Sequence, residues 1–271
     1  MFVAVLALSA CGHSHDEGEP GTLALTVAGS ALVESGITAD KVVDGWAISF
    51  DRFLVSVGDF EAGHGHDNPE IVHEDETFYV FDLAKDSGGK GFALASIEVD
   101  GGHYDHYGYR VAPSADAKVV NADQADVDVM KAGGYAVWIK GSATKDADTR
   151  TFEWGFTVAT VNDHCHSEAM VDGNTATVQF TLHGDRLFQD SLIAAMPKMT
   201  FQLIANADAG TPGDGVVTEN ELTAIDITGL PAGSYDSGSL ALTNLWDYIE
   251  QEVTLMGQID GDGECGVHMR Q

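Results

Sequence analysis

The sequence predicts a mainly β protein, an antiparallel β-sandwich or barrel with two or three short-to-medium helices in the C-terminal third of its 271 residues. Polar and apolar residues alternate in about ten short segments, the period-two pattern of strands with one buried face. Turn residues separate these segments at short intervals, which favours antiparallel connections over β–α–β units. Two stretches with helical spacing of apolar residues lie in the last third of the chain.

The strand pattern also indicates local irregularities and connections. Within residues 42–61 the apolar positions change parity at Asp51 and Arg52, which predicts a bulge or bend between two strands. Residues 151–161 and 175–182 alternate most regularly, and we expect them to pair, with a turn between them. The predicted strands are 22–27, 42–61 (two strands), 78–83, 93–99, 103–111, 135–143, 151–161, 175–182 and 199–204, with acidic connections at 63–77 and 116–128.

Two helices follow from apolar residues spaced three and four apart. The shorter stripe consists of Leu187, Phe188, Leu192 and Ile193. The longer predicted helix covers about residues 240–256, where the stripe comprises Leu242, Leu245, Trp246, Ile249 and Val253.

Charge restricts the classes of partner. Forty-three acidic and thirteen basic residues give a net charge of −30, which excludes nucleic acid and anionic membrane surfaces as partners. Such a surface suits cations, cationic partners or a high-salt environment, and salt adaptation alone also explains the acidity. The sequence names no protein partner.

The N-terminus indicates export. Residues 1–10 are apolar, and Leu8-Ser9-Ala10-Cys11 resembles the lipobox of bacterial lipoproteins. The resemblance implies lipidation at Cys11, anchoring at the periplasmic or cell-surface face of the outer membrane, and membrane contact through the lipid anchor only. A free cysteine in a terminal tail is the alternative. We therefore expect a signal segment (1–11), a flexible tether (12–21), a β-domain (22–205) and a C-terminal segment (206–271) packed on it.

Export also predicts that the other two cysteines are oxidised to a disulfide. Exported proteins meet an oxidising compartment, and lipidation of Cys11 leaves two cysteines. We expect a disulfide between Cys165 and Cys265, with Cys165 in the turn after residue 161.

A calcium site is predicted where the C-terminal segment begins. Asp214-Gly215 followed by Glu221 matches the second half of an EF-hand loop, D-G-x5-E. The first half does not match. Calcium binding would therefore need an enlarged loop that places an earlier carboxylate, Asp208, next to Asp214. The predicted ligands are Asp208, Asp214, Thr218 and Glu221. The competing interpretation is a capping box, in which Thr218 and Glu221 begin a short helix.

A transition-metal site is predicted from histidines on or beside strands. His183 ends a strand whose odd-numbered residues are polar, so its ring should emerge at the rim of the sheet with Asp185 close by. His164 and His166 flank Cys165 in the neighbouring turn. Imidazoles with one carboxylate suit Zn²⁺ or Cu²⁺ and exclude Mg²⁺ as the preferred ion. The alternative is a set of single histidines, each satisfied by hydrogen bonds.

Two resemblances support an exported protein without identifying an activity. The segments FTLHGDRLFQDSL, DGVVTENEL and GQIDGDGEC resemble uncharacterised acidic lipoproteins of deltaproteobacterial type. A strand-rich first half with Gly-then-Tyr strand entry, followed by a strand ending in Leu-His, is diffusely similar to methanobactin-linked copper-binding periplasmic proteins.

The expected function combines these features. We expect an exported, lipid-anchored protein that binds divalent cations, with no enzymatic activity, because sequence signatures of hydrolases and nucleotide-binding enzymes are absent. The alternative is a structural or adhesion-type surface lipoprotein that holds only stabilising calcium. A hydrolase that uses a strand-borne metal is a third class.

Overall fold

The computed structural model describes residues 18–65, 69–208 and 213–269. The signal segment with Cys11 and most of the tether lie outside the described residues. Within them the protein is mainly β, with 44% strand and 16% helix in curled sheets. The predicted fold class is confirmed.

The strands of the described residues range from two to eighteen residues. In chain order they are β1 Gly21–Gly29, β2 Ala47–His64, β3 Glu70–Asp75, β4 Tyr79–Asp82, β5 Phe92–Val99, β6 Gly102–Tyr104, β7 His106–Val111, β8 Lys118–Val119, β9 Val137–Lys145, β10 Asp148–Phe156, β11 Thr160–Cys165, β12 Ala169–Val171, β13 Thr175–Leu182, β14 Val216–Val217, β15 Gly257–Ile259 and β16 Gly266–Met269.

The helices are short. They are α1 Ala31–Ser35, α2 Gln124–Gly133, α3 Gln202–Ala207, α4 Glu219–Thr223 and α5 Leu245–Val253, with one 3₁₀ turn at Gly184–Phe188.

The strands form a large sheet, a small sheet and a separate pair. The large sheet has the order β14-β10-β9-β2-β7-β11-β16, and β3, β4 and β8 extend it beside β2. The small sheet has the order β15-β13-β1-β5, in which β1 and β13 run parallel. Strands β6 and β12 pair antiparallel outside both sheets. The predicted irregularity is a bulge, because the register between β2 and β9 shifts between Phe50 and Arg52. The two strands predicted within residues 42–61 are instead one continuous strand, β2.

The two sheets pack face to face through aromatic side chains. The ring of Phe180 in β13 lies 5.1 Å from that of Phe60 in β2 and 4.9 Å from that of Tyr109 in β7. All three side chains are buried. Each such aromatic pair contributes about 0.5–1.5 kcal/mol beyond the area it buries, so this contact joins the sheets into one sandwich.

The C-terminal segment is built into the β-domain. Strands β14, β15 and β16 pair with β10, β13 and β11, respectively. Trp246 of α5 stacks on Phe156 of β10, with ring centroids 4.8 Å apart and planes 9° from parallel. Residues 213–269 therefore complete both sheets, and α5 packs on β10 of the large one.

The two most regular predicted strands do not pair with each other. Residues 148–156 form β10 in the large sheet, whereas 175–182 form β13 in the small one. The expected turn between them contains strand β11, which pairs with β7 and β16. Period-two alternation fixes which face of each strand is buried but does not identify its neighbour.

Other predicted elements also differ. The predicted strand 199–204 is wrong, because Asp44 accepts hydrogen bonds from the backbone amides of Phe201 and Gln202 at 2.8 and 2.7 Å and so begins α3 there. Helix α2 occupies the expected acidic connection and buries Val127 and Met130. Strand β3 lies within the expected loop 63–77. Of the shorter predicted helical stripe, Leu187 and Phe188 lie in the 3₁₀ turn, whereas Leu192 and Ile193 follow it outside any helix.

A buried carboxyl group connects α5 to the 3₁₀ turn. Glu252 is fully buried, Tyr248 donates a hydrogen bond to it at 3.3 Å, and the Arg186 Nε lies 3.5 Å from its Oε2. Burial raises the pKa of Glu252 to about 8, and the nearby Arg186 opposes this only in part. The folded protein therefore holds a proton that the unfolded chain releases at a lower pH.

We predict that this proton makes stability fall as pH rises. A folded pKa above the unfolded value contributes stability that is complete below about pH 4.5 and is lost as pH passes through about 8. Glu252→Gln removes the titrating carboxyl group. The free energy of unfolding of the wild type, measured in urea and relative to this variant, should therefore fall by up to about 1.4 kcal/mol per pH unit across that window. Glu153→Gln, at an exposed position, should keep the wild-type profile. Parallel profiles for wild type and Glu252→Gln would contradict the prediction.

Candidate metal-binding face

The candidate site lies on the extended segment that joins β11 to β12. From residue 164 to residue 172, side chains alternate strictly between solvent and core, because successive residues of an extended chain point to opposite sides. The outward positions carry groups that bind metals, and we call them, together with His103, the metal-binding face. The outward residues are His164, His166, Glu168, Met170 and Asp172, and the inward residues are Cys165, Ser167, Ala169 and Val171.

The inward residues hold this segment in place. Cys165 is fully buried and lies at disulfide distance from Cys265, with 4.0 Å between Cα atoms. The predicted bridge is confirmed, although Cys165 ends strand β11 and does not lie in a turn. The Ser167 hydroxyl donates to Asp260 Oδ2 at 2.5 Å, a second link to the loop that carries Cys265. The outward side chains therefore start from a fixed backbone.

A carboxylate lies between two imidazoles on the face. His166 Nε2 lies 2.9 Å from Glu168 Oε1, and His103 Nε2 lies 3.4 Å from Glu168 Oε2. His103 Nε2 is buried and has no hydrogen-bond partner among the described residues. Two ligand atoms held about 2.0–2.2 Å from one Zn²⁺ lie about 3.0–3.5 Å apart. Each of the two spacings is close to this range, but each involves a different oxygen of Glu168, and the two imidazole rings lie 6.5 Å apart.

His64 extends the group from the end of β2. Its Nδ1 lies 2.6 Å from the carbonyl oxygen of His103, and its ring packs on Tyr104 with centroids 4.1 Å apart. A carbonyl oxygen only accepts hydrogen bonds, so Nδ1 carries the proton and Nε2 of the neutral ring keeps its lone pair. A cleft of about 510 Å³ is lined by His64, Glu70, His103, Asp105 and Met170 among others.

A second pair of histidines lies beside the first. The ring of His164 lies 6.0 Å from that of His106, and His106 Nε2 lies 3.9 Å from Glu61 Oε2. Burial lowers the pKa of His106, and the nearby Glu61 opposes this shift only in part. His164 adopts a left-handed backbone conformation, φ 48°, at the shift in register between β11 and β7. Non-glycine residues rarely adopt this conformation.

His183 and Asp185 form a pair of their own. His183 Nδ1 lies 3.4 Å from Asp185 Oδ1, and its Nε2 lies 3.0 Å from the carbonyl oxygen of Gly261. Ser30 donates a further hydrogen bond to Asp185 at 2.9 Å. Burial disfavours the charged ring, but the hydrogen bonds to Asp185 and Gly261 outweigh it and raise the pKa of His183. Acceptor oxygens therefore face both ring nitrogens, an arrangement that favours the protonated ring.

The four predicted ligands therefore divide between two places. His183 lies with Asp185, whereas His164 and His166 lie beside His106 and His103. In residues 18–65, 69–208 and 213–269, no three or more His, Cys, Asp or Glu side chains form a ready-made metal site. Glu168 joins its two imidazoles through different oxygens, so small side-chain rotations are needed for all three to converge on one ion.

Glu168 and Met170 are absent from the sequence prediction, and His103, although one of the histidines on predicted strands, is absent from the predicted ligand set. If Cys165 faces the core, as the predicted disulfide implies, parity along residues 164–172 places Glu168 and Met170 on the outward side. The approach of His103 depends on the pairing of β6 with β12, for which the sequence carries no local signal.

The predicted calcium ligands make contacts of a different kind. Asp208 is buried, accepts hydrogen bonds from the backbone amides of Asp214 and Gly215, and lies 3.1 Å from the guanidinium of Arg150. Glu221 accepts a hydrogen bond from the amide of Thr218 at 2.8 Å, which forms the predicted capping box of α4. Residues 209–212 lie outside the described part of the loop.

No family model matches the sequence, and comparisons with curated proteins and with solved structures give no match. Among the helices of the described residues, none is long and apolar enough to cross a membrane.

Calcium binding remains a prediction of the sequence. A ligand that binds only the native state raises its melting temperature, so millimolar Ca²⁺ should raise that of the wild type. Calcium has to displace Arg150 from Asp208 for this response. Glu221→Gln keeps a capping-box residue but removes one ligand charge, so it should abolish the rise while leaving the calcium-free melting temperature nearly unchanged. An undiminished rise in this variant would place the ion elsewhere.

Proposed function

We propose that the protein is an exported, lipid-anchored protein that binds a divalent transition-metal ion, Zn²⁺ or Cu²⁺, on the metal-binding face. The ligands are His103, His166 and Glu168. The observation that carries the proposal is the position of the Glu168 carboxylate, which reaches an imidazole nitrogen with each of its oxygens.

The donor set supports a transition metal. Imidazole nitrogen binds zinc and copper well, whereas magnesium prefers an all-oxygen environment. His103 Nε2 makes no hydrogen bond among the described residues, and its charged neighbour is Glu168 Oε2 at 3.4 Å. A cation bound between the two would contact both atoms.

The scaffold supports binding without a large ordering cost. The segment that carries His166 and Glu168 is held by the Cys165–Cys265 bridge and by Ser167. Rigid elements hold ligands better than flexible ones, which lose conformational entropy when they bind. The net charge of −30 raises the local concentration of any cation near the surface.

We predict that zinc affinity depends on these three side chains. His103→Ala and Glu168→Gln should each weaken zinc binding by at least about tenfold, measured by competition with a chromophoric chelator. Both are made with His13 and His15 already replaced by alanine, so that this H-x-H pair takes up no metal. His73→Ala is the matched control, and His183→Ala tests the separate pair with Asp185.

Equal zinc affinities in wild type, His103→Ala and Glu168→Gln would overturn the proposed site. Loss of affinity in His183→Ala alone would move the site to the pair with Asp185. Elemental analysis of native protein that finds only calcium would favour the structural or adhesion-type alternative.

The lipid anchor has a separate test. One acyl chain binds a membrane only marginally, and stable anchoring needs the several chains of a lipoprotein cysteine. Cys11→Ser should therefore move the protein from the membrane fraction to the soluble fraction of cells that express it. Retention of this variant in the membrane fraction would show that the lipobox interpretation is wrong.

A further inference from the structure

The pairing of β6 with β12 brings a thioether to the metal-binding face. Met170 and His103 are directly opposite each other in this antiparallel pair. Opposite residues of such a pair project to the same side, with Cβ atoms about 4.5–5.5 Å apart. Both side chains line the same cleft, together with His64.

Packing does not account for Met170 at this position. Its side chain is 54% exposed, whereas its neighbours Ala169 and Val171 are buried on the opposite side of the strand. Tyr104, which pairs with Ala169, is also buried there. The apolar side of the β6–β12 pair is therefore already covered, and Met170 lies among polar, ligand-type side chains.

We propose that Met170 is a metal ligand and that it gives this face a preference for a soft monovalent ion, Cu⁺, over Zn²⁺. The inference rests on the proposed function, because it shares His103 with that site. The second imidazole is that of His64, whose Nδ1 is held by the His103 carbonyl oxygen.

Ligand softness gives the chemical reason. A thioether sulfur is a soft, polarisable donor that suits Cu⁺, whereas zinc sites use imidazole, carboxylate and thiolate. Two imidazoles and one thioether supply three neutral donors, which a monovalent ion accepts without a compensating carboxylate. His103 Nε2, buried and without a hydrogen-bond partner among the described residues, is the shared donor. The two ions therefore use different ligand sets. Zn²⁺ binds with the negative charge of Glu168, whereas Cu⁺ binds to neutral donors and does not need Glu168.

The test compares soft and borderline ions on the same variants. Ag⁺ in chloride-free buffer serves as a redox-inert probe, and Cu⁺ is titrated against a competing chelator. All proteins are full-length and carry Cys11→Ser, which removes the one cysteine outside the disulfide, and the His13 and His15 replacements. Met170→Leu is compared with Met196→Leu, a control at an 87% exposed methionine, and with His103→Ala.

Met170→Leu should weaken Ag⁺ and Cu⁺ binding by at least about tenfold and leave zinc affinity unchanged. Met196→Leu should change neither, and His103→Ala should weaken all three ions. Unfolding midpoints in urea should be equal for Met170→Leu and wild type, because the side chain is largely exposed. Copper K-edge absorption of the Cu⁺-loaded wild type should show a sulfur neighbour that is absent from Met170→Leu.

The two proposals fail differently. Wild-type affinity of Met170→Leu for Ag⁺ and Cu⁺ would overturn the thioether ligand, while a zinc loss in His103→Ala would still support the proposed function. Unchanged affinity of His103→Ala for every ion would overturn both. Equal losses of zinc and Ag⁺ in Met170→Leu would show that the residue shapes the face without selecting a soft ion.

Discussion

The contact of Phe180 with Phe60 and Tyr109 is the constraint on which the rest of the structure depends. It fixes the small sheet against β2 and β7 at the centre of the large sheet. Strand β11 pairs with β7 and carries Cys165 into the buried interior, so the segment after it leaves the core at a defined point. The position of the metal-binding face therefore follows from how the sheets pack.

Local chemistry made several features predictable from the sequence. The bulge at Asp51 and Arg52 follows from a change of parity, and the capping box of Thr218 and Glu221 from two residues at the right spacing. Long-range contacts account for the errors. Asp44, which accepts the hydrogen bonds at the start of α3, is 157 residues from Phe201 in the sequence. The residues around Phe201 therefore give no sign that a helix begins there. The predicted pairing of β10 with β13 is wrong for a similar reason. Alternation shows which face of a strand is buried but not which strand lies beside it.

The metal-binding face shows the same division. His164 and His166 are recognisable from sequence because they flank a cysteine, and the alternation extends the pattern to Glu168 and Met170. His103 joins them only because β6 pairs with β12. His183 and Asp185 lie near each other, as the sequence predicts, but acceptor oxygens face both ring nitrogens of His183. A histidine at a strand end is thus a ligand only if its surroundings leave a nitrogen lone pair available.

Charge and ligand type have separate roles on such an acidic surface. A net charge of −30 attracts all cations, and salt screens that attraction over about 8–10 Å, so it distinguishes ions by charge and not by identity. Ion identity must then be set at short range, by donor softness and spacing. A site made of carboxylates alone would not select among the cations that the acidic surface attracts. In the proposed site, imidazoles on a fixed strand, with Met170 opposite His103, would provide the donors that select one cation from the many that the surface attracts.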